Sequence, residues 1–409
     1  MTRRVVVTGM GGISPLGNDW PAIRARLGEY RNAVVRMESW AAYEGLNTQL
    51  AAPAAPFELG ERYNRKSTRS MGRVALMATR ATESALADAG LLDDPFIRSG
   101  QMGVAFGSSV GTTSAICGFG HMLEQFNTRG INAATYIKMM AHTAPVNIGV
   151  FFGLTGRVIT TSSACTSGSQ GIGYAYEAIK DGRQLAMVAG GAEELCPTEA
   201  AVFDTLFATS TRNDAPGTTP RPYDATRDGL VIGEGACALI LEEREHALAR
   251  GATIYAELVG FGTNSDGLHV TQPNPATMKV AMELALADAG VKAGEIGYIN
   301  GHGTATEQGD IAESHATAQV FGGATPISSS KSYMGHTLGA CGALEAWFSI
   351  EMMREGWFAP TVNLDGVDAR CAELDFIKGE GRQIECEYVM SNNFAFGGIN
   401  TSLIFRKHR

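Results

Sequence analysis

The sequence predicts an α/β protein assembled from two related halves, and three observations predict it. Short β-branched runs alternate with helical periodicities along the chain. The hexapeptide ALADAG ends a helical pattern at 85–90 and again at 285–290. The frame [Cys/His]-Thr-x-Gly-x-x-Gly opens one helical pattern at Cys165 and another at His336. Two matches in the same chain order point to a duplicated fold whose halves meet on a pseudo-twofold axis.

The strands are expected, in order, at Val5–Thr8, Gly103–Phe106, Leu185–Ala189 and Ala236–Leu241, then at Ala256–Val259, Gly297–Asn300, Tyr388–Ser391 and Ser402–Phe405. Several are apolar on both faces, as strands covered by helices on each side are. GMGG, after the first strand, reads as a turn. Helical spacing covers Gly72–Ala89 and Met278–Ala289, and begins again in IGYAYEAI and ALEAWFSI. The charged segment LEEREHALARG reads as a helix between strands, dividing the chain into 1–250 and 251–409.

Composition narrows the class. With 409 residues, 44% apolar and 18% charged, the chain can bury a large core. A formal charge of −9 argues against nonspecific nucleic-acid binding. Seven cysteines at irregular spacing, with no CxxC, read neither as a disulfide framework nor as structural zinc. The apolar run at the start is too short for a signal peptide, and no run approaches the ~20 residues that span a bilayer. A cytoplasmic protein is expected.

The chemistry gathers at strand ends and helix starts. In TSSACTSGSQGIG, Cys165 stands among small residues where a helix begins. Unpaired N–H groups at a helix N-terminus stabilise an anion, so a lowered thiol pKa is expected there. Ser163, Ala164 and Gly168 leave room for a carbonyl to reach Sγ, and the Cys165 N–H can then donate to the oxyanion. His302 follows a strand in NGHGTAT, between two glycines. SSSKSYMGHTLGACGALEA adds Lys331 and His336, and Glu345 on the helix beginning there supplies the carboxylate a buried lysine needs. NFAFGG places Phe394 and Phe396 around Ala395 ahead of Gly397 and Gly398, a turn with an aromatic plug.

Together these motifs resemble the β-ketoacyl-acyl carrier protein synthases of type I/II, in the thiolase superfamily. The resemblance runs from VVVTGMGGISPLG through RPYDATRDGLVIGEGA to NFAFGGIN, and AGGAEELC and ARGATIYAELVGFG lean toward type I. It implies a thiolase-like fold of duplicated βαβαβαββ halves in a five-layered αβαβα sandwich. An insertion at about 108–160 would contribute to a dimer and an acyl pocket. Cys165 matches the acyl-accepting nucleophile, and His302 and His336 the two histidines that stabilise the malonyl-derived enolate. Lys331 matches a lysine that supports the site's electrostatics with Glu345. Phe396 matches the gating aromatic, Thr304 and Thr306 the pantetheine contacts, and Val110 a residue at the acyl-pocket floor. No cofactor and no metal are implied, because the substrates arrive on the phosphopantetheine of acyl carrier protein. Arg62, Arg65, Lys66, Arg69 and Arg73, at helical spacing, would form a basic face for that acidic carrier. A homodimer is expected, or a heterodimer with a chain-length-factor-like subunit; no nucleic-acid or membrane partner is.

Four positions depart from the family pattern: Glu307 replaces a proline, Ala395 a glycine, Asn393 a serine and Ile399 a threonine. They leave the chemistry intact and open the question of chain preference. Ketosynthases of aryl-polyene or type II polyketide assembly stand beside fatty-acid elongation as readings. A dinucleotide-binding oxidoreductase fails, because GMGGIS lacks the third glycine. A thiolase would carry a second active-site cysteine where NFAFGG stands. A non-catalytic chain-length factor would have lost the nucleophile that Cys165 retains.

Overall fold

The computed structural model describes residues 2–408. Its first half runs β1 (Val5–Ile13), α1 (Arg73–Asp88), β2 (Met102–Gly107), α2 (Thr143–Phe152), β3 (Val158–Thr161), α3 (Ser167–Lys180), β4 (Ala186–Glu193) and β5 (Gly235–Glu243). The second runs β6 (Ala256–Ser265), α4 (Pro275–Ala289), β7 (Ile296–Asn300), α5 (Glu307–Phe321), β8 (Pro326–Ser328), α6 (Cys341–Glu355), β9 (Tyr388–Ala395) and β10 (Ile399–Lys407). Shorter elements lie between, and each half is βαβαβαββ.

The strand orders repeat as well: β3-β2-β4-β5-β1 in the first half, β8-β7-β9-β10-β6 in the second. β2 runs parallel to β3 and β4, and β5 antiparallel to β4 and β1. The second half reproduces those senses strand for strand. The two sets join where Val5–Val7 of β1 pairs antiparallel with Ala256–Leu258 of β6.

The ALADAG repeat has a structural cause. A Cβ at Gly9 or Gly11 would fall 2.3 Å from the Ala85 carbonyl oxygen or 2.6 Å from its nitrogen, and at Gly260 or Gly262 2.4 Å and 2.5 Å from the same atoms of Ala285. Both first strands thus press directly on the last turns of a helix. Asp88 and Asp288 then accept the N–H groups of Met10 and Phe261, at 2.9 and 3.1 Å. This corrects the reading of GMGG as a turn: the glycines stay in the strand, and helix packing requires them. Among the expected strands, β3 and β8 were missing; they are four and three residues long and lie away from the sheet centre.

Layering follows from burial. α6 is buried from Cys341 through Met353, as a helix apolar on every side must be. It packs with α3 in the core between the two strand sets of the one continuous sheet, whereas α1 and α2 cover the outer face of the first set and α4 and α5 that of the second. The result is the five-layered, thiolase-like arrangement. No helix among the described residues is long and apolar enough to cross a membrane.

The basic face is corrected. Residues 61–72 form turns, with α1 starting only at Arg73, because Gly60 and Gly72 bracket a polar stretch with no apolar stripe to dock. Arg62 is tied to Asp93 at 2.8 Å and Arg73 to Glu234. Arg65, Lys66 and Arg69 are exposed.

Candidate active site

Two tight turns create the site. Ala164–Thr166 leads into α3 and Leu338–Ala340 into α6, each as a single 3₁₀ turn. Ala164 (φ 50°) and Leu338 (φ 45°) share a left-handed backbone that costs a non-glycine residue about 1–2 kcal/mol. These turns, rather than the shared sequence frame, are the equivalent points, so Cys165 corresponds to Gly339 and Gly168 to Gly342. His336 precedes its turn. The frame located both helix starts but was displaced by three residues.

The helix starts abut because they carry glycine. A Cβ on Gly168 would lie 2.9 Å from the Gly339 carbonyl oxygen, and one on Gly342 2.8 Å from the Ser169 Cβ. Residues 171 positions apart are thereby brought together: His336 Nε2 lies 3.0 Å from Cys165 Sγ. His336 is anchored through its backbone, donating to the Val231 carbonyl at 2.7 Å and accepting from the Gly233 N–H at 2.9 Å.

The sulfur's state departs from expectation. Burial pushes the Cys165 thiol up to about 11, against the opposing pull of the Lys331 charge and of the Phe396 and Cys165 N–H groups directed at sulfur. Cys165 is only 4% exposed and precedes α3, so lost hydration outweighs the helix terminus. Burial likewise lowers His336 well below its ordinary value, aided by Lys331. The resting pair is a neutral thiol beside a neutral imidazole.

His302 follows β7, with its ring centroid 5.2 Å from that of His336 and the planes nearly perpendicular. Its N–H and that of Gly303 donate to the two oxygens of buried Glu313, at 2.6 and 2.7 Å. Lys331 Nζ stands 3.1 Å from His302 Nδ1 and is paired with Glu345. Burial acts to lower the lysine, but the carboxylates of Glu345 and Glu313 outweigh it and hold it charged. His302 is driven far below its ordinary value by burial, then by Lys331 and His336. An ammonium can only donate, so Nδ1 accepts and the neutral ring carries its proton on Nε2.

Two contributions went unread in the sequence. Asn393 Nδ2 donates to Glu345 Oε2 at 2.7 Å and lies 3.4 Å from His302 Nδ1; the departure from serine is part of the lysine–glutamate network. Glu193, ending β4, accepts from Ser108 Oγ, the Ser109 N–H and the Gly339 N–H at 2.7–3.0 Å, locking the 108–110 turn to the second helix start. A strand-end glutamate in AGGAEE was the available signal.

A cavity of about 360 Å³ reaches Cys165, His302 and His336. Thr304, Thr306, Phe394, Phe396 and Gly398 line it; Val110 and Gly397 do not. Val110 lies in the turn that Glu193 holds, its N–H directed at that carboxylate. Gly397 donates to the Val270 carbonyl at 2.7 Å and fixes the turn that carries Phe396. The Phe396 ring packs 5.0 Å from Phe203, and Phe394 stands edge-on to His302 at 6.1 Å. Glu307 begins α5 at the cavity rim and pairs with Arg370. Sγ and the two imidazoles offer donors within 4.8 Å of one another, a set that could ligate a soft cation. The Lys331 ammonium against His302 opposes a second positive charge there.

Comparison with known proteins agrees with this geometry. The family model "Beta-ketoacyl synthase, N-terminal domain" matches residues 2–247 and "Beta-ketoacyl synthase, C-terminal domain" residues 255–365. A curated 3-oxoacyl-[acyl-carrier-protein] synthase 2 of Vibrio harveyi is 38% identical over 99% of each chain. The crystal structure of a β-ketoacyl synthase from Burkholderia phymatum STM815 is 61% identical over the full length of both chains, with a TM-score of 0.98. A ketosynthase solved with its type II polyketide acyl-carrier protein and bound to a hexaketide is 29% identical, with a TM-score of 0.88 over both full chains.

Proposed function

The chain belongs to the β-ketoacyl synthase family, and we propose that it extends an acyl group held as a thioester on Cys165 by decarboxylative Claisen condensation with a malonyl group carried on acyl carrier protein. The observation that carries this is the meeting of Sγ, two neutral imidazoles and two N–H groups at the inner end of one cavity.

Acylation begins with Cys165 losing its proton to His336 across 3.0 Å as sulfur attacks the incoming thioester. The carrier thiol departs with that proton. The N–H groups of Cys165 and Phe396, already directed at sulfur, receive the oxyanion. The malonyl thioester then loses its carboxylate as carbon dioxide, and the electron pair passes into an enolate. Nε2–H of His302 donates to the enolate oxygen, and the buried Lys331 charge steadies the developing negative charge. The enolate carbon attacks the Cys165 thioester, and collapse of the adduct expels the sulfur, which takes up a proton from solvent by way of His336, and releases a 3-oxoacyl thioester.

We read the pathway as fatty-acid elongation, with the curated 3-oxoacyl-[acyl-carrier-protein] synthases among the relatives as support. As partners we propose acyl carrier protein and a second copy of the chain. The first strand set ends at β3, whose Val158 is 52% exposed, beside Val150 of α2 at 77%; an open apolar strand edge of this kind invites pairing. A chain that dimerises only on co-expression with a chain-length-factor-like subunit would replace the second copy with that partner.

The test is Cys165→Ala. It is expected to abolish acylation, read by intact mass after incubation with acyl carrier protein, while malonyl decarboxylation persists. Condensation at the wild-type rate would defeat the assignment.

A further inference from the structure

We infer that two segments flanking the cavity mouth, 202–207 and 268–270, form an apolar docking rim for the carrier protein, with Phe207 as its anchor. The inference rests on the proposed function, since a substrate tethered to a carrier reaches Cys165 only if the carrier's surface beside the tether sits on this mouth.

Phe207 carries the inference. The helix Pro197–Asp204 ends in a turn where the Phe207 N–H donates to the Asp204 carbonyl at 2.9 Å and the Ala208 N–H to that of Phe203 at 3.0 Å. This closure puts Phe207 in the left-handed region, φ 52°, a position that favours glycine. A phenylalanine stands there 89% exposed, so burial does not offset the strain. Strain held at an exposed aromatic beside a cavity points to a partner. Phe126 is also exposed at positive φ, but it follows the helix Thr113–Gln125 and lines no part of this cavity.

The neighbourhood is apolar in the same way. Val202 and Leu206 on the same segment are 54% and 46% exposed, and Leu268 and Val270 on the other are 80% and 68% exposed. Leu206, Phe207 and Val270 line the cavity, so the patch is continuous with the path to Cys165. Val270 also accepts the Gly397 N–H at 2.7 Å, next to Phe396. A body seated on the rim therefore touches a segment bonded to the turn whose N–H faces the nucleophile. The occupant is the acyl carrier protein of the proposed reaction, and an apolar rim at the mouth selects one that offers an apolar patch beside its tether.

Phe207→Gly, Phe207→Asp and Leu268→Asp separate docking from chemistry. Cys165 acylation is measured by intact mass with acyl carrier protein and with a free acyl-pantetheine thioester, each at low and at 0.5 M salt. Phe207→Gly is expected to raise KM for the carrier-bound substrate about tenfold more than for the free thioester, a ratio in line with loss of an interface anchor. It is also expected to raise Tm, because glycine relieves the left-handed turn. Leu268→Asp is expected to raise KM for the carrier alone, and the defects to persist at high salt. A Phe207→Gly protein with unchanged KM for the carrier overturns the rim, as does a defect equal on both substrates. If wild-type Cys165 accepts acyl groups from neither substrate, the proposed function itself has failed. If Phe207→Asp alters dimer dissociation and not carrier KM, the rim belongs to a second copy.

Discussion

Lys331 Nζ lies 3.1 Å from His302 Nδ1 while paired with Glu345, and all three residues are buried. One ammonium thus settles two matters: it compensates a carboxylate with no access to water, and it fixes which nitrogen of His302 carries the proton. His302 is held as a donor toward the cavity without being charged. That is what enolate stabilisation requires from an imidazole that must let go of its product.

Removing the lysine is expected to reveal both duties. Lys331→Met leaves Glu345 buried without its cation and should cost about 3–5 kcal/mol of stability, the usual penalty for breaking a buried pair. Lys331→Met with Glu345→Leu should recover most of that loss while activity stays low. Urea unfolding of the wild type, both single variants and the double variant closes the cycle. A single-variant cost below about 1 kcal/mol would show that the pair is not what holds this corner of the fold.

The acid side of the pH profile follows from the same charge. His302 and His336 lie well below 6.5, through burial and then Lys331. Both rings are therefore neutral at pH 7 and remain so well below 6.5. Malonyl decarboxylation is expected to hold level as pH falls through 6.5, with its acid limb further down. For stability, the unfolded chain takes up protons on these rings near 6.5 and the folded chain does not. Stability should then fall as pH drops below 6.5 and be fully present above it. Stopped-flow carbon dioxide release and urea midpoints from pH 8 to 5 test the pair of claims; an acid limb centred near 6.5 would place an ordinary imidazole in the site.

Much of this was legible in the sequence, for identifiable reasons. The strand–helix alternation and ALADAG announced two halves because each repeat is dictated by local packing, alanine and glycine where a strand rides on a helix. The Lys331–Glu345 pair was readable because a lysine among small residues needs a nearby carboxylate. Other features depend on the assembled fold. GMGG looked like a turn because the helix that makes its glycines necessary comes more than sixty residues later. The Cys165 thiol was expected low from its helix start, yet burial in a cluster drawn from both halves raises it. Asn393 and Glu193 act across layers, and no local spacing marks such partners. The basic residues at 62–73 had helical spacing without the apolar stripe that would have made them a helix.

Of those basic residues, three remain available to a partner. Arg62 is tied to Asp93 and Arg73 to Glu234, whereas Arg65, Lys66 and Arg69 are exposed, and no ion pair involving them is found among the described residues. Charges exposed at a rim act mainly on encounter and are screened by salt, with a Debye length of about 8 Å at physiological ionic strength. Reversing all three to Glu is therefore expected to raise KM for acyl carrier protein several-fold at low salt and to leave KM for a free pantetheine thioester unchanged. The defect should shrink toward the wild-type value at 0.5 M salt. That salt response is opposite to the one expected of Phe207→Gly, so the two sets of variants assign encounter and seating to different surfaces. Equal effects on carrier and free thioester, or a defect indifferent to salt, would remove Arg65, Lys66 and Arg69 from the docking of the carrier.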